Sequence, residues 1–215
     1  MFDLIMFDLD GTLTDPKEGI TKCVQYALRA CGVEENDLNR LTPFIGPPLV
    51  DGFMNFYGFD REKALRAVEK YRERFRNKGI FENRVFAGVE EMLNTLKKTG
   101  KTIALATSKP HVFADRILEY YKLMQYFDVT VGAEFDGTRN EKADVIREVL
   151  RLCHEADSPV MVGDRSYDVE GAHLCGIPCI GVRFGYAEPD ELEHAGADYI
   201  AKDIADLTTI LFKKN

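Results

Sequence analysis

The chain has 215 residues, 45% of them apolar and 30% charged, with a net charge of −8 and a pI near 5.1. This is the balance of a soluble globular chain, long enough to bury a core without crosslinks and suited to one large domain or to a core with a smaller insert. The acidity works against nucleic-acid and anionic-membrane partners, no apolar run approaches the ~18 residues of a membrane span, and Met1 to Phe7 is too short for a signal h-region. The expectation is a cytoplasmic protein, monomer or homodimer, whose partner is a small molecule.

In chain order, Leu4 to Phe7 is a short apolar run followed by Asp8 and Gly11, the pattern of a buried parallel strand opening into a loop. The stretch from Pro16 to about Val85 shows no strand pattern. Its first helix is marked by Asp15 as cap, Pro16 at the first helical position and Glu18 at the third, as in a capping box. Ile20, Cys23, Val24, Ala27, Leu28 and Cys31 form its apolar stripe, and Gly32 ends it. Leu41–Phe53 holds Pro43, Gly46, Pro47, Pro48 and Gly52 and starts as a loop; a long helix from about Arg61 to Asn77 follows. The basic residues Arg72, Arg74, Arg76 and Lys78 read as a solvated helix face. This stretch carries 13 Lys/Arg against 10 Asp/Glu, which leaves −11 for the remainder.

Beyond it, strand and helix alternate. Thr102–Ala106, Val129–Val131, Pro159–Val162 and Cys179–Val182 repeat the first apolar run, and Ala197–Ala201 is a weaker sixth. Val89, Met92, Leu93 and Leu96 make one helical stripe, stopped by Gly100, and Val145, Ile146, Val149, Leu150 and Cys153 make another. The alternation predicts an α/β fold: a Rossmann-like parallel sheet core, residues 1–15 and 86–215, with an inserted α-helical cap, residues 16–85. The five cysteines contain no CxxC, and the pair Cys175 and Cys179 lacks further ligands at zinc spacing, so reduced thiols are expected. The four histidines show no ligand spacing either.

The chemistry gathers at strand ends. In Asp8-Leu9-Asp10-Gly11-Thr12 two carboxylates at i and i+2 point to one side, just past a buried strand. Close carboxylates repel, so a cation sits between them or one holds a proton, and both conditions suit phosphoryl transfer. Asp8 can attack phosphorus as a nucleophile, and a protonated Asp10 can give its proton to the leaving alcohol. Gly163-Asp164-Arg165-Ser166-Tyr167-Asp168 places two carboxylates one helical turn apart, hard oxygen ligands of the kind Mg²⁺ takes. Thr107-Ser108-Lys109 offers a hydroxyl for a phosphoryl oxygen and an ammonium to balance its charge. Taken singly, each motif also has an ordinary reading: an Asp-Gly turn, a helix cap, a polar loop. All three fall at carboxyl ends of strands, where parallel α/β sheets bind ligands.

The combination resembles the haloacid dehalogenase-like phosphatases, in the subfamily with a helical cap inserted after the first motif. The resemblance implies Asp8 as nucleophile, Asp10 as general acid/base and Thr107 as the phosphate-binding hydroxyl. It implies Mg²⁺ as cofactor, with Asp8, Asp164, the Asp10 main-chain carbonyl and, in support, Asp168 around it. It also implies a lysine near the phosphate; Lys142, in Glu141-Lys142-Ala143-Asp144, matches best, although an alanine stands where many members have proline, and Lys109 is the rival. A small phosphate monoester follows as substrate, phosphoglycolate or a 5′-nucleotide, selected by a cap loop at Ile45-Gly46-Pro47-Pro48-Leu49. Gly181–Tyr186 also resembles members with either activity. A phosphomutase of the same fold and a non-enzymatic phospho-acceptor of the receiver kind are the alternatives; Asp10 and the helical insert fit the second poorly.

Overall fold

A computed structural model describes residues 1–135, 138–139 and 141–213. Its strands are β1 (Leu4–Phe7), β2 (Thr14–Asp15), β3 (Arg84–Val85), β4 (Thr102–Pro110), β5 (Val129–Ala133), β6 (Pro159–Gly163), β7 (Cys179–Val182) and β8 (Tyr199–Ala201). Its α-helices are α1 (Lys17–Ala30), α2 (Leu49–Tyr57), α3 (Arg61–Phe75), α4 (Val89–Lys98), α5 (His111–Tyr120), α6 (Lys142–Leu152), α7 (Ser166–Leu174), α8 (Glu191–His194) and α9 (Ile204–Phe212). The chain divides into two units, one of residues 1–14 and 85–215 and one of residues 15–84, with both crossings in the short strands β2 and β3.

In the first unit the six predicted apolar runs form one parallel sheet, in the order β5-β4-β1-β6-β7-β8. All four β1 residues are buried because the strand lies at the centre of the sheet, with neighbours on both edges. Leu4 and Met6 point to one face with Ala104, Ala106 and Met161, and there they meet Val145, Ile146 and Val149 of α6 and Val169 of α7. Burying each such aliphatic side chain stabilises the fold by roughly 1.5–3 kcal/mol. The α4 stripe, Val89, Met92, Leu93 and Leu96, is buried as its period requires. The strand order reverses at β1: β4 and β5 lie to one side, and β6, β7 and β8 to the other. In such a sheet the crevice at the carboxyl ends flanking the reversal is the natural ligand position. Register sharpens the point. Phe7 pairs with Leu105 and with Val162, so Asp8 emerges level with Ala106 and Gly163.

In the second unit α1 packs on α3, and Val24, Ala27 and Leu28 of α1 and Ala64, Ala67 and Val68 of α3 are buried. The helix begins one residue later than the capping pattern predicts. Asp15 Oδ1 still accepts from Lys17 N–H at 3.1 Å, while its Oδ2 takes the Arg84 fork at 2.9 and 2.6 Å. Glu18 pairs with Lys22 at 2.5 Å. The segment Leu41–Phe53, read as starting in a loop, takes in the end of a 3₁₀ helix, Leu38–Phe44, and the first half of α2, which begins as soon as Pro48 is past and ends at Gly58 in the left-handed region. Phe53 of α2 meets the Phe44 ring at a tilt, with centroids 5.0 Å apart, and stacks on Phe59 at 5.9 Å. Of the basic run at the end of α3 and just past it, Arg74 is not a solvated face residue. Its guanidinium bonds Glu82 at 2.6 and 3.0 Å and lies 3.2 Å from Cys23 Sγ. No helix among the described residues is long and apolar enough to cross a membrane.

Candidate active site

Asp8 is the first residue beyond β1, and its N–H still donates to Val162 O at 2.9 Å, so the ladder holds its main chain in line with β6. The loop after it is wound tightly: the N–H groups of Leu13 and Thr14 both donate to Leu9 O at 3.0 Å, and Gly11 N–H donates to Thr14 O at 2.7 Å. Gly11 has φ +89°, a conformation that only glycine adopts without strain, and a Cβ there would lie 2.1 Å from Asp164 Oδ2. The first motif thus has its glycine because the second motif's carboxylate occupies the space.

Asp164 follows β6, and Asp168 sits in the first turn of α7. Together with Asp8 they each offer one oxygen within a cluster whose members all lie within 4.8 Å of one another, and all three residues are buried. Lys142, the first residue of α6, reaches in with its ammonium. It stands 2.6 Å from Asp8 Oδ1, 2.7 Å from Asp168 Oδ1 and 3.1 Å from Ala106 O. The lysine is only 7% exposed, so it is a member of the cluster and no surface residue. Asp168 Oδ2 accepts from Arg165 N–H at 3.1 Å, while its Oδ1 is buried with the ammonium alone beside it and no aligned hydrogen bond. Asp164 takes neutral donors instead: Tyr186 N–H at 2.7 Å and, at the limit of bonding distance, Thr12 Oγ at 3.5 Å.

The other sequence-predicted residues form a second group. Asp10 Oδ2 is ion-paired with Lys109, and Asp10 Oδ1 is buried with no hydrogen-bond partner. The Asp10 carboxylate is thus paired with Lys109, and it also feels the charges of Asp8 and Lys142. Thr107 is buried within β4; its Oγ accepts from Lys109 N–H at 3.2 Å, which leaves its hydroxyl hydrogen to donate elsewhere. Ser108 is half-buried in the same strand. The two candidate lysines thus divide the site, Lys142 on Asp8 and Asp168, Lys109 on Asp10.

Burial sets the protonation of the group. Asp164 is pushed well above the usual carboxylate range by desolvation, and by Asp168 and Asp8 beside it. Asp168 is raised by desolvation although Lys142 pulls it down, and Asp10 is raised by desolvation although Lys109 pulls it down. Burial pulls Lys142 down, and Asp168 and Asp8 more than offset it, so the ammonium keeps its proton. Three carboxylates against one ammonium leave a formal charge of −2 at the cluster, with hard oxygen donors only. That donor set and that charge fit a divalent cation such as Mg²⁺.

Three contributors escaped the sequence motifs. The Ala106 carbonyl and the Thr12 hydroxyl sit inside or beside motifs already marked, so position alone pointed to them. Tyr186 lies in the Gly181–Tyr186 stretch, singled out for its resemblance, but nothing in its residue types announces a main-chain donor to Asp164.

Comparison with known proteins bears on the chain as a whole. The family described as haloacid dehalogenase-like hydrolase matches residues 5–182. A 5′-nucleotidase of Pseudomonas aeruginosa is 48% identical over 208 residues, 96% of this chain and 94% of that protein. Tyrosine-protein kinase PtkA of Mycobacterium tuberculosis is 39% identical over 193 residues, 88% of this chain and 65% of that protein. A crystal structure of "a predicted phosphatase from Clostridium acetobutylicum" matches with a TM-score of 0.93 at 45% identity, over 98% of both chains. The parallel sheet with its strand-end acids and the match over most of the chain lead to one statement: this protein belongs to the haloacid dehalogenase-like hydrolase family.

Proposed function

We propose that the protein is a Mg²⁺-dependent phosphatase of small phosphate monoesters, with a 5′-nucleotide as the preferred substrate, acting through an aspartyl-phosphate on Asp8. The observation that carries the reading is the convergence of Asp8, Asp164, Asp168 and Lys142 into one buried cluster at the sheet's reversal point. An oxygen of Asp8 attacks phosphorus and the ester P–O bond breaks. Asp10 gives its proton to the departing alcohol, a role supported by its raised carboxyl. Asp10 then takes a proton from the water that attacks the acyl phosphate, releasing inorganic phosphate and Asp8. Lys142 and Lys109 balance charge on either side, and the Thr107 hydroxyl donates to a phosphoryl oxygen. Asp8, Asp164 and Asp168, with the Asp10 carbonyl, would hold Mg²⁺, which when bound offsets the negative charge of the phosphoryl group and its attacker. The 5′-nucleotide preference rests on the 48% identity to the Pseudomonas aeruginosa protein. In this reading residues 16–85 are a cap that selects the substrate, and the protein is cytoplasmic, in keeping with five free cysteines.

The test is a screen of metabolite phosphates with and without Mg²⁺, run beside Asp8→Asn. The expected result is Mg²⁺-dependent phosphate release, strongest on nucleoside 5′-monophosphates and abolished in the variant with its circular dichroism unchanged. Preference for phosphoglycolate would correct the substrate. Slow turnover of simple phosphates with activation by a sugar phosphate would favour the phosphomutase, and release that survives Asp8→Asn would end the mechanism.

A further inference from the structure

The loop after β7 is tied down at both ends. At its start Arg183 N–H donates to Ala201 O at 2.9 Å, and the Phe184 ring meets Phe86 edge-on with centroids 5.3 Å apart. In the middle Tyr186 N–H reaches Asp164, and Gly185 passes so close that a Cβ on it would lie 2.3 Å from Asp164 Cβ. At its far end stands Glu191, largely buried. Its Oε1 accepts from Arg165 Nε at 2.9 Å and from Ser166 N–H at 2.7 Å, and its Oε2 accepts from Glu188 N–H at 2.8 Å. Burial alone would raise this carboxyl; the Arg165 bond and the two main-chain donors outweigh it and hold the group ionised.

The three clustered acids are not held alike. Lys142 bonds Asp8 and pairs with Asp168, but among the described residues no ion pair reaches Asp164. Its carboxyl group is held instead by the loop, which supplies the Tyr186 N–H and closes the space behind with Gly185. Glu191 fixes both sides of that grip. It holds the end of the loop through Glu188, and it holds the residues following Asp164 through Arg165 and Ser166.

We infer that Glu191 is a positioning residue for the cation site, acting on Asp164 through Arg165 and the Tyr186 main chain; this rests on the proposed role of Asp164 as a metal ligand. With the clamp cut, the loop no longer holds the Tyr186 N–H on Asp164, and the oxygens no longer stand ready for a divalent ion. Outer-shell partners of this kind typically carry about ten- to a hundredfold in metal affinity.

The test measures Mn²⁺ binding to the full chain by the loss of the free-ion electron paramagnetic resonance signal, well below the melting temperature. Glu191→Gln keeps size but turns one acceptor oxygen into a donor facing the Glu188 N–H. It is expected to weaken Mn²⁺ by about tenfold with the metal-free circular dichroism unchanged. Arg165→Lys keeps the charge and loses the Nε donor; it is expected to weaken Mn²⁺ in the same direction and carries the test if the first variant does not fold. Glu193→Gln, in the exposed pair with Arg183, is the control and should bind as the unaltered chain does. Affinities for Glu191→Gln and Arg165→Lys within about twofold of the unaltered chain, a ratio worth about 0.4 kcal/mol, overturn the inference while leaving the metal reading intact. If the unaltered chain itself takes up no Mn²⁺, the metal reading falls and the clamp's role falls with it.

Discussion

Replacing Lys142 with methionine removes the ammonium while keeping much of the side-chain volume, and the structure sets the size of the effect. In the native protein that ammonium lies 2.6 Å from Asp8 and 2.7 Å from Asp168, both buried. Removing one partner of a buried ion pair leaves an uncompensated charge and typically destabilises by about 3–5 kcal/mol. The fold has one escape: an abandoned carboxyl can take up a proton. Holding an aspartate protonated at pH 7, against an unfolded-chain value near 3.9, costs about 4 kcal/mol at 1.36 kcal/mol per pH unit. That figure is the ceiling on the loss at pH 7, and at pH 5 the same escape costs only about 1.5 kcal/mol. Asp168 is already raised, so part of the cost is present in the native protein and the loss falls below the ceiling. The expected deficit in EDTA is therefore about 2–4 kcal/mol at pH 7, a drop in Tm of roughly 5–15 °C for a chain of this size. It should shrink by half or more at pH 5. Thermal melts followed by circular dichroism, at both pH values and with EDTA or saturating Mg²⁺, measure it. Saturating Mg²⁺ should recover much of the loss at pH 7, because the ion supplies the missing positive charge. A variant as stable as the native chain at pH 7 in EDTA, or one whose deficit ignores pH, would show that the lysine does not carry the charge of this cluster.

Asp10→Asn should slow release of a poor leaving group such as a nucleoside by about 10²–10⁴-fold and p-nitrophenol far less; equal slowing of both would count against an acid role. Gly11→Ala forces a left-handed φ on a side chain and aims its methyl at Asp164, so urea unfolding should show a loss above about 1–2 kcal/mol together with weaker Mn²⁺ binding. Because Asp10, Asp164 and Asp168 are raised on folding, the native state holds more protons than the unfolded chain above about pH 4, and their contribution to metal-free stability falls as pH rises through the folded values. The increment in stability given by Mg²⁺ should accordingly grow from pH 5 to pH 8 in urea titrations, and an increment flat across that range would refute the assignment.

The sheet was legible because its strands are buried on both faces. Such strands must be apolar throughout, so Leu4–Phe7, Pro159–Val162 and Cys179–Val182 stand out as runs whatever surrounds them. The helical insert was harder to read in detail. The prolines and glycines of 43–52 suggest a loop, yet Pro43 fits inside a 3₁₀ turn and Pro47 and Pro48 lie just ahead of α2, whose aromatic side chains pack on Phe44. Tertiary burial decided there, and single-residue breaking tendencies did not. Arg74 misled for a related reason: its basic neighbours Arg72, Arg76 and Lys78 disguise an inward guanidinium whose acceptor, Glu82, lies beyond the helix.

Within the site, legibility followed the direction of the information. Side-chain types announce chemistry, so the acids at 8, 10, 164 and 168 and the lysines at 109 and 142 are visible in the sequence. Their partners are not, because a partner is a matter of register. Asp8 and Asp168 are 160 residues apart and meet only because β1 and β6 pair in register and just two residues separate β6 from α7. Which lysine serves which acid depends on where α6 begins relative to β5, a quantity that loop residues leave open. The main-chain donors are hidden further still, since every residue but proline has an N–H and only the fold aims the one on Tyr186 at Asp164. The arrangement has a physical logic all the same. A cluster of formal charge −2 is costly to bury without a cation, and among the described residues Lys142 is the one ammonium paired with its acids. A second ammonium in place of the missing charge would satisfy the acids and close the site; in the proposed function the deficit is left open for an ion from solution, and Mg²⁺ would both stabilise the fold and complete the chemistry.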